Sequence, residues 1–157
     1  MVRPAAAQHR APISHMLELF KHQLSDIRAQ HIDERGEYGF TLDRYWSQTI
    51  CWPFIFITAG KYAGFALVDV TVKFAGGDYW MDPFFVLKRY RRRGFGQMAV
   101  RHVFAHIRDR WEVGQMARNF SAQTFWRRVI AACTGSAFTE HALTRGVWKG
   151  QVQRFQR

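Results

Sequence analysis

Between Tyr79 and Leu87 the chain runs through β-prone residues, breaks into Arg91-Arg92-Arg93-Gly94-Phe95-Gly96, and resumes with Val100, Val103, Phe104 and Ile107 on one helical face. A strand that feeds a helix through a short glycine loop begins a crossover connection, and crossovers require a sheet covered by helices. The loop also carries chemistry. The first N–H groups of a helix have no internal partner, and the helix dipole makes that end positive, so an anion is stabilised there. Gly94 and Gly96 allow close backbone approach to such an anion, and Arg91, Arg92 and Arg93 offer forked donors to its oxygens. The alternative is a solvated basic corner with glycines that only turn the chain. The segment is neither a Walker A loop, which continues Gly-Lys-Ser/Thr, nor the Gly-x-Gly-x-x-Gly of a dinucleotide fold.

Periodicity places the other elements. Ile13, Met16, Leu17, Phe20, Leu24 and Ile27 predict a first helix after Pro12, and Leu42 to Trp46 opens a short second one ending before Pro53. Phe54 to Ile57 and Tyr62 to Val72 read as a hairpin across Ala59-Gly60-Lys61. In the Tyr79 to Leu87 strand, Pro83 cannot donate to a ladder and marks a bulge or an edge. Trp111 to Gln115 is a further strand. Ala122, Phe125, Trp126, Val129 and Ile130 predict a helix ended by Gly135, and Phe138 to Leu143 with Val147 to Phe155 predict a closing pair of strands. The result is a mixed α/β (α+β) chain with about four helices, read as one domain over residues 1–157.

Charge narrows the partners. The net charge is +11, yet residues 1–80 balance and the whole excess lies in residues 81–157. A basic half attracts either nucleic acid or a phosphorylated ligand, unless it is only a basic surface. Two isolated cysteines, Cys51 and Cys133, suggest neither a disulfide framework nor a zinc site, and the seven histidines form no metal-like cluster. The first residues lack a signal-peptide core and no run reaches the length of a membrane span, so a cytoplasmic protein without a membrane partner is expected.

Val86-Leu87-Lys88-Arg89-Tyr90-Arg91-Arg92-Arg93-Gly94-Phe95-Gly96 resembles the acetyl-CoA signature of the GNAT acetyltransferase superfamily, in which a strand ending in Val precedes Arg/Gln-x-x-Gly-x-Gly/Ala. Val2-Arg3-Pro4-Ala5 is similar to the family's first strand, and Asn119-x-x-Ala122-x-x-Phe125-Trp126 to its Asn-x-x-Ala-x-x-Phe-Tyr helix. Phe84 to Leu87 and Trp148-Lys149-Gly150 are similar to a bacterial subgroup of predicted acetyltransferases. The resemblance implies the GNAT fold, with a central sheet split into a V that holds pantetheine. It implies acetyl-CoA as cosubstrate, no metal, an amine acceptor, direct transfer, and in many members a homodimer. Position by position it implies cofactor contacts at Phe85, Val86, Leu87, Arg91, Arg92, Arg93, Gly94, Phe95, Gly96, Gln97, Asn119 and Trp126, with a backbone N–H at Val86 or Leu87 polarising the thioester carbonyl.

Two positions depart from that pattern. Trp126 stands where a tyrosine often protonates the departing thiolate, and an indole N–H is a poor acid. Pro83 stands where the subgroup has a glutamate. Asp82, shifted one place by a bulge, is therefore the first candidate for the base, and Glu112 on the next strand the second. Glu37 and Asp43 are candidates for binding a cationic amine, and Tyr38, Phe40, Tyr45, Trp46 and Trp52 for lining an acceptor pocket or filling core. A different class, a nucleic-acid module built on Arg89 to Arg93 and Arg127-Arg128, would bind with a steep salt dependence.

Overall fold

In the computed structural model, residues 1–146 and 148–157 are described, with the side chain of Asp82 outside that description. The strands are β1 (Val2–Pro4), β2 (Cys51–Thr58), β3 (Lys61–Asp69), β4 (Tyr79–Val86), β5 (Arg110–Met116), β6 (Phe138–Leu143) and β7 (Gly150–Gln156), and the helices α1 (Arg10–Arg28), α2 (Arg44–Ser47), α3 (Phe95–His106) and α4 (Phe120–Thr134). One sheet of seven strands in the order β1-β2-β3-β4-β5-β7-β6 contains them all. Its neighbours are antiparallel except β4 and β5, which the α3 crossover makes parallel.

The hydrophobic periods of the helices decide the layers. Ile13, Met16 and Leu17 of α1 pack with Ile55, Phe65 and Phe85 on one face, and Val100, Val103 and Phe104 of α3 join Val129 and Ile130 of α4 over Phe54, Trp111 and Val113 on the other. Gly135 ends α4 with φ +62°, a left-handed cap that glycine adopts without a Cβ penalty.

The β4–β5 ladder is short. Tyr79, Trp80 and Met81 pair with Trp111, Glu112 and Val113, and the two strands then separate. At the point of separation Leu67 of β3 faces both Asp82 and Pro83, because Ala66 pairs with Phe84 and Val68 with Met81. Pro83 thus occupies a bulge inside the sheet, where its missing N–H removes no ladder bond that the register requires. The divergence opens a V in the middle of an otherwise continuous sheet.

Local hydrogen bonding moved several expected boundaries. The strand expected to reach Val72 stops at Asp69, whose carboxylate accepts the Thr71 N–H at 2.7 Å and turns the chain. The second helix is only Arg44–Ser47, since the chain from Cys51 is already paired with β3, with Pro53 opposite Leu67. The last strand begins at Gly150 rather than Val147, and Val147 lies outside the described residues.

Candidate functional site

The V is the mouth of a cleft of about 710 Å³, within the ~300–1,000 Å³ of small-ligand sites. Its two edges are β4 above the bulge and β5 from Gly114 to Met116; α1 supplies one wall, and the β4–α3 loop with α4 the other.

On β4 the backbone is sorted by register. Leu87 donates its N–H to Ala63 at 2.9 Å, so that group is taken. Antiparallel pairs alternate, and the pairing of Val86 with Gly64 therefore turns the Val86 N–H away from β3 and into the gap. Of the two residues proposed to polarise a carbonyl, Val86 is the one with its donor on the open edge. Its own carbonyl accepts Arg91 Nε at 2.5 Å. The Arg91 guanidinium also donates to Gln23 Oε1 at 2.6 Å and lies over the Phe85 ring, and burial pushes its pKa below the ordinary arginine value. Arg91 is thus a half-buried brace between β4 and α1 as well as a cationic wall.

The loop after it is shaped for an anion. Arg92 has φ +60° and Gly94 φ +75°. A left-handed arginine costs about 1–2 kcal/mol, and such residues cluster at functional sites. Gly94 accepts the Met98 N–H at 3.1 Å, and among the described residues the N–H groups of Phe95, Gly96 and Gln97 have no backbone acceptor. Gly96 is constrained for a second reason that the sequence did not reveal: a Cβ there would sit 3.3 Å from the Phe125 ring.

From the opposite side, α4 begins at Asn119, whose Oδ1 caps the helix by accepting the Ala122 N–H at 3.3 Å. Asn119, Ala122, Phe125 and Trp126 border the cleft, and Trp126, 5% exposed, stands edge-on to Phe84. On β5, position 114 has room only for glycine because the Trp80 indole lies over it, and a Cβ would fall 2.1 Å from that ring. Trp148 packs against Trp80 at 5.4 Å and also borders the cleft.

Nine of the expected cofactor residues meet at this cleft: Phe85, Val86, Arg91, Arg92, Gly94, Gly96, Gln97, Asn119 and Trp126. Three do not. Leu87 packs beside the α1-face core, Phe95 packs against Phe56 and Tyr90, and Arg93 projects from the loop to solvent. Phe95 still contributes its N–H to the helix end.

The two carboxylates fare differently. Asp82 lies at the bulge on the cleft edge of β4, and its side chain is outside the described residues. Glu112 is wholly buried away from the cleft; it accepts the Lys73 N–H at 2.5 Å and the Phe74 N–H at 3.2 Å, and pairs with Arg154 at 3.2 Å. This corrects the second-choice base, because the loop before β4 and Arg154 of β7 hold the Glu112 carboxylate away from the cleft.

The acceptor-side expectations also change. Asp43 is paired with Arg10, Tyr45 donates to Asp69 at 2.9 Å, Trp52 packs on Tyr79, and none of these borders the cleft. Glu37, Tyr38 and Phe40 lie in the loop after α1. That loop is fastened by Lys21, whose Nζ donates to the carbonyls of Tyr38 and Gly39 and whose pKa burial pushes down. The element that borders the cleft on this side is α1, with Phe20, Gln23, Leu24 and Arg28; Arg28 reaches across to Met116 Sδ at 3.4 Å. Helical periodicity had placed Phe20 and Leu24 on the buried face, but no sequence signal marked Gln23 or Arg28. The rival nucleic-acid surface loses members here, since Arg127 is held by Glu140 through two donors and Arg91 by Val86 and Gln23.

Comparison with known proteins agrees with this architecture. Acetyltransferase from Thermus thermophilus superposes with a TM-score of 0.72 at 12% identity, covering 100% of this chain and 96% of that one. Aminoglycoside acetyltransferase AAC(6')-Ib, solved with coenzyme A and kanamycin, superposes at 0.67 with 13% identity over 100% and 94%. Ribosomal-protein-S5-alanine acetyltransferase from Vibrio fischeri does so at 0.63 with 16% identity over 98% and 90%. At these identities the likeness is one of fold. No curated protein matches the chain. The profile of the acetyltransferase (GNAT) family matches residues 16–130, from α1 through the cleft to α4, and the chain belongs to that family.

Proposed function

We propose that the chain transfers an acetyl group from acetyl-CoA to the nitrogen of an amine, by direct attack within the V. The observation that carries this reading is the convergence, on one cleft, of an unpaired β4 edge with the unbonded N–H groups at the start of α3. The pyrophosphate of CoA sits at that helix end, where Gly94 and Gly96 leave the backbone bare and Arg92 adds charge. Pantetheine runs along the open edge of β4 into the gap. Its thioester carbonyl then meets the Val86 N–H, a fixed donor that strengthens as the carbonyl oxygen becomes an oxyanion.

The amine enters along α1, between Phe20, Leu24 and Arg28. It must arrive neutral, so a base removes its proton, and Asp82 at the β4 bulge is the residue assigned that role. Nitrogen attacks the carbonyl carbon, the tetrahedral oxyanion collapses, CoA leaves as thiolate, and the nitrogen sheds its remaining surplus proton, which through solvent neutralises the thiolate. Trp126 offers no useful acidity, and a thiol with a pKa near the ~8.5 of cysteine leaves tolerably without help.

The test is thiol release from acetyl-CoA with a panel of amines comprising amino acids, polyamines, aminoglycosides and peptide N-termini. Acceptor-dependent release supports the reading. CoA binding without release from any acceptor would make this a cofactor-binding protein that has lost the reaction.

A further inference from the structure

Among the described residues, one buried polar side-chain atom at the cleft has no hydrogen-bond partner. Gln115 borders the cleft from β5, is 4% exposed, and its Oε1 is buried without a hydrogen bond among the described residues. Buried acceptors are almost always paired, and an unpaired one costs folding free energy that the native state recovers only when a donor arrives.

The orientation of that amide is dictated from a distance. Arg127 of α4 grips Glu140 of β6 through Nε and Nη2, which holds the carboxyl pKa below its ordinary value. A carboxylate only accepts, so Gln153 of β7 must turn its NH₂ to Glu140, which it does at 2.6 Å. That leaves Gln153 Oε1 facing Gln115, whose Nε2 donates to it at 2.6 Å and to the Val113 carbonyl at 3.0 Å. Both hydrogens of Gln115 are spent, and its Oε1 has nowhere else to face. Turning the amide over would set oxygen against two acceptors. Gln153 is fully buried, so the inner half of the relay is enclosed, while its Arg127–Glu140 end is partly exposed.

We infer that Gln115 Oε1 is a binding group for the cofactor arm, accepting one amide N–H of pantetheine. This rests on the acetyl-CoA reading above. The arm is chosen over the acceptor amine because of the face involved. Gln115 is two residues from Val113 and shares its side of β5, the side covered by α3 and α4, where Asn119, Ala122 and Trp126 also stand; α1 covers the other side. An extended chain in the gap beside Gly114 lies about one strand spacing, ~4.8 Å, from β5, within reach of a glutamine amide. Pantetheine carries two secondary amides, and each is a neutral N–H of the kind a carbonyl oxygen takes.

Calorimetric titration of CoA, and separately of its nucleotide half, 3′-phospho-ADP, into wild type, Gln115→Leu and Gln115→Met tests this. CoA should bind both variants about tenfold more weakly, and the nucleotide half should bind all three alike. A second arm varies the ligand. Of two CoA analogues with one or the other amide N–H replaced by an ester oxygen, one should lose the same factor on wild type, and none of that loss should persist on Gln115→Met. Equal CoA affinity in a folded variant, equal losses for CoA and its nucleotide half, or full affinity of both ester analogues for wild type would overturn the assignment. If wild type binds neither CoA nor 3′-phospho-ADP, the acetyl-CoA reading itself falls.

Discussion

The two walls of the cleft are built on different physical terms. The wall proposed for the cofactor uses backbone: an open strand edge at Val86, bare N–H groups at the start of α3, and glycines with positive φ or a ring against them. The α1 wall, which we propose takes the acceptor, uses side chains on a helix, Phe20, Gln23, Leu24 and Arg28, where almost any residue keeps the helix intact. Backbone sites restrict which residues can stand at each position, whereas a helical wall can be repainted without disturbing the fold. On the reading proposed above, one wall suits a constant ligand, and the other is free to suit a particular acceptor.

The largest effect that separates the walls should come from the edge between them. Asp82→Asn is expected to lower turnover by about 100-fold with CoA affinity nearly unchanged. A fully active variant would return the base to the acceptor wall or to solvent.

Glu112→Gln should act on neither wall. Losing the charge from a buried group that holds two loop amides and Arg154 should cost about 1–3 kcal/mol, seen as a lower Tm, while the affinity for CoA stays at the wild-type value. Lost turnover at undiminished Tm would restore Glu112 as a chemical participant.

Arg28→Ala tests the independence of the acceptor wall. It should raise the acceptor KM by about tenfold and leave CoA titrations unaltered. Equal losses for both substrates would mean that the bridge from Arg28 to Met116 shapes the whole cleft.

The smallest effect concerns acid. Glu140 is depressed chiefly by its hydrogen bonds from Arg127, so its contribution is present above the ordinary carboxylate range and fades as pH falls through the lower folded value. Melting curves of wild type should lose stability in that acidic window, and Glu140→Gln should show a shallower loss. The pair is partly exposed, which keeps the difference modest. Parallel curves for the two proteins would remove the Arg127–Glu140 pair from the account.

Legibility followed the same division. The strand, loop and helix of the cofactor wall could be read because Gly94 and three arginines stand at fixed spacing, and Pro83 announced its bulge because proline has so few places in a sheet. Pairing alone could place the separation of β4 from β5 or put Trp80 over Gly114. Glu112 looked available because alternation along β5 says which side it faces and nothing about the Lys73–Phe74 amides waiting there. The aromatics from Tyr38 to Trp52 were equally suited to pocket and core, and packing assigned Tyr45 and Trp52 to the core. Gln115 gave no signal at all, since its meaning depends on Gln153 and Glu140, distant in sequence and joined only by the closing strands.

The central claim, that CoA is held by the loop from Arg91 to Gly96 and the start of α3, is tested most directly by calorimetric titration of CoA into wild type and Gly96→Val. The added side chain would press on Phe125 and cover the N–H groups at the helix end. Binding by wild type, weakened by salt, and about 100-fold weaker in a variant with unchanged far-UV circular dichroism is the expected result. No binding by wild type, or equal affinity in the folded variant, would contradict it.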